Sequence, residues 1–155
     1  MKSLILSFLA VVISSSATAQ SAGKAEVFSS RQVQDQLATL AQHAMDTGSA
    51  GVTLADYGSH KLQISVRTSS GGAEIHAHFD DVMIVQQGTA TLITGGTLVD
   101  PKTSADGETK GTAIQGGQSQ TIAPGDVITV NAGVPHQLVI PPGTTYSALV
   151  IKVKE

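Results

Sequence analysis

Apolar positions recur at two different periods along this chain. Between Ser29 and Met45, the residues Val33, Leu37, Leu40, Ala41 and Ala44 fall at the spacing that lines one face of an α-helix. Ser29 and Gln32 supply a capping box, so the pattern predicts one amphipathic helix that stops before Thr47-Gly48. Its apolar face needs a partner, either the flank of the same domain or a second subunit.

After Gly51 the period shortens to two. Leu62, Ile64 and Val66 alternate with Lys61, Gln63, Ser65 and Arg67, which predicts a strand with one apolar face. Runs rich in Val, Ile and Thr predict further strands at 82–87, 89–94, 127–130, 137–140 and 145–153. Gly71-Gly72, Gly95-Gly96, Pro124-Gly125, Ala132-Gly133 and Pro141-Pro142-Gly143 mark turns between them. Many short strands without alternating helices predict an all-β sandwich or barrel. The stretch VDPKTSADGETKGT, residues 99–112, has almost nothing to bury and reads as a loop, more readily a tolerated surface insertion than a flap over a site.

The first twenty residues change the picture of where the chain works. MKSLILSFLAVVISSSATAQ places one lysine before an apolar run from Leu4 to Ile13 and ends on Ala17-Thr18-Ala19. That is the pattern of a secretory signal peptide, and the run is shorter than the roughly twenty residues that cross a bilayer. The expected division is a signal peptide at 1–19, a helical segment at 20–50 and a β domain at 51–155, with a periplasmic or secreted destination and no membrane contact after cleavage.

The formal net charge is −3, and −4 once Lys2 is lost with the signal peptide. A mildly acidic chain with 3% aromatics and no run of Lys or Arg is a poor nucleic-acid binder. The absence of cysteine excludes disulfides, thiolate metal ligands, a cysteine nucleophile and a lipid-modified N-terminal cysteine.

The candidate chemistry lies in Glu74-Ile75-His76-Ala77-His78-Phe79-Asp80-Asp81 and in His136. If a strand continues through this segment, His76 and His78 share a face and two imidazoles can reach one ion. His136 shares a face with Leu138 and Ile140 and should project into an apolar interior. Glu74 stands two residues before His76 on the same face and ranks below Asp81 as an acidic partner. His43 and His60 read as surface or packing residues, and Tyr57 and Tyr146 as packing residues.

These residues resemble the two motifs of the cupin superfamily. The first motif runs Gly, five residues, His-x-His, three or four residues, Glu, six residues, Gly; here Ser70, His76, His78, Asp81 and Gly88 take those places. The acid is Asp in place of Glu, and only Phe79 and Asp80 separate it from His78. The second motif runs Gly, five residues, Pro-x-Gly, two residues, His, three residues, Asn; here it is met by Gly125, Asn131, Gly133, His136 and Ile140, with Pro and the final Asn replaced. The resemblance spans about Leu62 to the C-terminus, with an inter-motif stretch that the polar residues 99–112 make long.

The resemblance implies an antiparallel jelly-roll β-barrel with one divalent transition metal, drawn from Mn, Fe, Ni, Cu and Zn, held by His76, His78, His136 and the carboxylate of Asp81. Asp80 competes for that last place, because neighbours in a strand face opposite ways. Either acid has a second available role, accepting the far N–H of a ligating imidazole. The expected function is a metal-dependent oxygenase or isomerase acting on a small oxygen-rich molecule, with a non-catalytic ligand- or metal-binding barrel as the alternative and a homodimer as the expected assembly. Ile140 and the missing Glu argue for a drier pocket than an oxalate-processing cupin needs.

Overall fold

The computed structural model describes residues 24–155; the expected signal peptide at 1–19 lies outside them. Helix α1 (Ser30–Thr47) begins as the capping box requires. The Ser29 hydroxyl accepts from the Gln32 backbone N–H, and the Gln32 side chain accepts from that of Ser29. It ends at Gly48, whose positive φ of 81° lets its N–H reach back to the Ala44 carbonyl.

Thirteen strands follow: β1 (Ser49–Asp56), β2 (His60–Arg67), β3 (Ala73–His76), β4 (Phe79–Gln87), β5 (Ala90–Thr94), β6 (Thr97–Val99), β7 (Lys102–Thr103), β8 (Glu108–Gly111), β9 (Ala113–Gln115), β10 (Gln118–Ile122), β11 (Val127–Val130), β12 (His136–Val139) and β13 (Tyr146–Lys154). All pairings are antiparallel. One sheet runs β1-β2-β13-β4-β11, a second β10-β5-β12-β3-β8-β7, and β6 pairs with β9 alone.

The architecture is the expected antiparallel jelly-roll type with one N-terminal helix, with one correction. The two main sheets face each other without joining edge to edge, so among the described residues they do not close into a barrel. The strand edges of β1, β7, β10 and β11 stay unpaired in these sheets.

Alternation sorts the side chains into two cores. Met83 and Val85 of β4, Leu92 of β5, Val130 of β11, and Tyr146, Ala148 and Val150 of β13 meet Ile122 and Ile140 between the sheets. On the opposite face of the five-stranded sheet, Ile64 and Val66 of β2 meet Ala44, with Val33, Leu37, Leu40 and Ala41 of α1 packed around them. The helix therefore buries its apolar face on its own sheet, which settles the choice left open by its sequence.

The 99–112 stretch is not a plain loop. It holds β7 and β8, which form a hairpin, and β8 pairs along the whole of β3. β1 and β10, neither predicted as a strand, complete the edges of the two main sheets.

Candidate metal site

At one end of the inter-sheet core the apolar rows give way to polar groups. On β4 the inward row passes from Met83 to Asp81, on β13 from Val150 to Lys152, and on β12 from Leu138 to His136. Glu74 and His76, two apart on β3, share one face. Register sets their neighbours: Glu74 lies directly opposite His136, and His76 directly opposite Glu108 on β8. Directly opposed residues on one face are close enough to touch.

Glu74, His76 and His136 each offer one ligand atom within 4.8 Å of the others. The two imidazole rings lie 5.0 Å apart between centroids, tilted by 57°, and His136 Nε2 is 3.6 Å from a Glu74 oxygen. His76 is 7% exposed and His136 4%. Donors that share one transition metal stand about 3 Å apart, so small side-chain movements suffice to bring these onto one ion.

The far edges of the rings favour that use. His136 Nδ1 donates to the Val134 carbonyl at 3.0 Å, and His76 Nδ1 donates to the Glu108 carboxylate. An acceptor on Nδ1 leaves the lone pair of a neutral ring on Nε2, facing the cluster, and orients the ring for ligation. Among the described residues His76 Nε2 is buried without a hydrogen-bond partner; its 3.2 Å approach to an Asp81 oxygen is not aligned as a hydrogen bond. An orphaned buried nitrogen of this kind calls for a partner, and a metal ion fits this donor set.

Charge is concentrated here. Burial disfavours the His76 imidazolium, but the Asp81 and Glu108 carboxylates on its two edges outweigh burial and hold its pKa above the ordinary value. Burial likewise opposes ionisation of Asp81, yet His76 and Lys152 hold its pKa below the usual range. Glu74 is lowered in the same way, against burial, chiefly by His136 and then His76. Lys152 Nζ lies 2.6 Å from Asp81, and both side chains are largely buried.

The structure therefore brings His76 and His136 together and leaves His78 apart. β3 ends at His76, whose carbonyl accepts the Gly133 N–H at 2.8 Å, and Ala77-His78 form the bend by which the chain crosses to the other sheet. The alternation that would put His78 beside His76 stops at that crossing. His78 is exposed, with its ring against Gly107. Asp81 touches His76 but lies outside the group of three, in which Glu74 takes the acidic place. Asp80 accepts the Ala132 N–H at 2.7 Å and so holds the turn before β12.

Sequence reasoning missed Glu108 and Lys152. Glu108 sits in the polar stretch taken for a loop; only the pairing of β8 with β3 reveals it. Lys152 carried a usable signal, since it continues the inward row of Tyr146, Ala148 and Val150. The remaining candidates are peripheral: His43 is exposed on α1, while His60 stacks on Tyr57 with centroids 4.8 Å apart and Tyr57 donates to Glu26. Tyr146 is fully buried in the inter-sheet core.

No known family profile matches the chain, and no curated protein matches it either. Solved structures do. The polyketide cyclase RemF from Streptomyces resistomycificus is 22% identical with a TM-score of 0.50, over 70% of this chain and 66% of that one. Recombinant oxalate oxidase in complex with glycolate is 15% identical with a TM-score of 0.50, over 69% of this chain and 51% of that one. A cupin superfamily protein from Desulfitobacterium hafniense is 16% identical with a TM-score of 0.47, over 69% and 78%. The chain thus spans about half to two thirds of the length of the first two. The motif glycines agree with this likeness: Gly88, Gly125 and Gly133 all take the positive φ of tight turns. Two facing antiparallel sheets, with histidines converging at one end of the space between them, give this chain a cupin-like fold.

Proposed function

We propose that this protein is an exported metal-binding cupin in which Glu74, His76 and His136 hold one divalent transition metal that binds a small oxygen-rich molecule. The observation that carries the reading is the convergence of three donors with both imidazoles anchored through Nδ1. Two imidazoles and one carboxylate with open positions form the donor set used by non-haem Fe(II) oxygenases, so Fe(II) suits the site best and dioxygenation is the favoured reaction class. When bound, the metal supplies a Lewis acid or redox centre. The chain's own residues orient the donors, exclude water from the apolar side through Leu138, Met83 and Val150, and set Lys152 and Asp81 beside the bound molecule. Mn, Ni, Cu and Zn are the other ions compatible with these donors.

A non-catalytic ligand- or metal-binding role is the second reading, favoured by the apolar character of Ile140 and of the neighbouring core. Export rests on the N-terminal pattern of residues 1–19, and a homodimer on the resemblance to cupins. Light scattering on the purified protein checks the dimer.

The main test is metal analysis of protein matured in the periplasm, followed by anaerobic Fe(II) reconstitution and oxygen-consumption assays with catechols, β-diketones and short thiols. One metal per chain with oxygen uptake is the expected result. One metal without uptake on any substrate supports the binding role. Substoichiometric metal after reconstitution defeats both and leaves the histidines as polar core residues.

A further inference from the structure

Asp81 stands where the cupin motif places its carboxylate, yet the acid that joins the two histidines here is Glu74. Asp81 has its own partner on the neighbouring strand. Asp81 and Lys152 are directly opposed in register between β4 and β13, and Lys152 Nζ reaches an Asp81 oxygen at 2.6 Å. The pair is enclosed, with side-chain exposures of 7% and 19%. The second Asp81 oxygen lies 3.2 Å from His76 Nε2, close enough to compete for whatever that nitrogen meets.

We infer that Lys152 is a positioning residue that keeps Asp81 out of the ligand set, so that a metal at this site has three protein ligands and not four. The inference rests on the metal-binding reading above. An ammonium at hydrogen-bond distance satisfies the carboxylate charge and opposes the approach of a second cation to the same group. Three protein ligands leave half the positions of an octahedral ion open, enough for a bidentate oxygen donor together with one further small molecule. Asp81, fixed by Lys152, then stands at the edge of those positions as a hydrogen-bond acceptor for a protonated oxygen of the bound molecule. In this arrangement Lys152 controls how many positions are open, and with them the class of ligand admitted.

The experiment uses the full mature chain with Co(II) as probe, reading the visible absorption of the bound ion and its affinity by chelator competition. In the wild type and in Asp81→Asn the spectrum is expected to be the same, because Asp81 is not a ligand. In Lys152→Met the released carboxylate enters the ligand set, changing the spectrum and tightening Co(II) by about tenfold or more. Asp81→Asn/Lys152→Met is expected to return to the wild-type spectrum and affinity. Removing a positive charge would by itself tighten Co(II) in Lys152→Met without changing its spectrum, so the spectrum of that variant separates the two explanations.

A changed spectrum in Asp81→Asn overturns the inference, and this variant decides the matter even if Lys152→Met does not fold. An unchanged spectrum in Lys152→Met, whatever its affinity, also overturns it. If wild-type protein fails to bind Co(II) at all, the metal reading falls first and the inference with it.

Discussion

Glu108 shows how one residue far along the chain orients another. It lies opposite His76 across the β3–β8 pair and takes the Nδ1–H, so the lone pair of the neutral ring falls on Nε2, the buried nitrogen that approaches Asp81. Carboxylates in this position raise ligand basicity and hold ring orientation. Glu108→Ala is therefore expected to weaken metal binding by about 10–100-fold while the fold persists. Glu108→Gln, which retains an acceptor oxygen, should lose less; calorimetric titration with Zn(II) checks both. Tyr146 marks the opposite extreme, a phenol enclosed at 0% exposure whose hydroxyl has no partner among the described residues. Burial pushes its pKa up to about 12 from 10.0. Because the folded-state value is the raised one, its contribution to stability is complete below pH 10 and disappears as the pH climbs towards 12. Two units correspond to about 3 kcal/mol. Denaturant unfolding followed across that window should lose about this much stability, and Tyr146→Phe should flatten the decline.

At the scale of elements, turns decide which sheet each strand enters. Gly88 joins β4 in one sheet to β5 in the other with a φ of 72°, and a methyl group there would meet the Thr145 carbonyl at 2.3 Å. Gly125 has a φ of 92° with nothing within 4 Å of the added carbon. Both substitutions by alanine carry the left-handed backbone penalty of about 1–2 kcal/mol, and only Gly88→Ala adds a backbone clash. Thermal melts should accordingly place Gly88→Ala clearly below Gly125→Ala. The β7–β8 hairpin teaches a related lesson. Its side chains are mostly polar and exposed, so no apolar period announces it, and it forms because β3 offers an unpaired edge. The same holds for β10, whose QSQTI sequence buries only Ile122.

For the whole molecule, the candidate metal site joins β3 and β12 within the six-stranded sheet, and with them one histidine from each of the two distant motifs. An ion that binds the folded chain and not the unfolded one stabilises it by about 2.7 kcal/mol at a concentration of 100 times Kd. Imidazole ligates only when neutral, and the carboxylates around His76 raise its affinity for protons, so protons compete with the ion as the pH falls. Zinc is expected to raise the melting temperature at pH 8, and the increment is expected to shrink as the pH falls, beginning above the ordinary histidine value of about 6.5 because the His76 pKa is raised. Scanning calorimetry at several pH values, with dialysed samples analysed for metal, checks this; a full metal complement at pH 4.5 would contradict histidine ligation.

What the sequence determined by itself is what depends on local periodicity and turn chemistry. The capped helix, the strands with apolar alternation, the left-handed glycines and the inward direction of His136 all follow from neighbours within a few residues. Tertiary structure decided which candidate donors stand together. His78 lies apart from the pair because the chain changes sheets immediately after His76, where strand alternation no longer applies. Glu74 stands beside His136 because register set the two opposite each other, while Asp81 pairs with Lys152. Glu108 arrived on a strand that exists only through its pairing with β3. Each of these depends on which strands lie side by side, and that is settled by long-range packing between the two sheets, which no local pattern encodes.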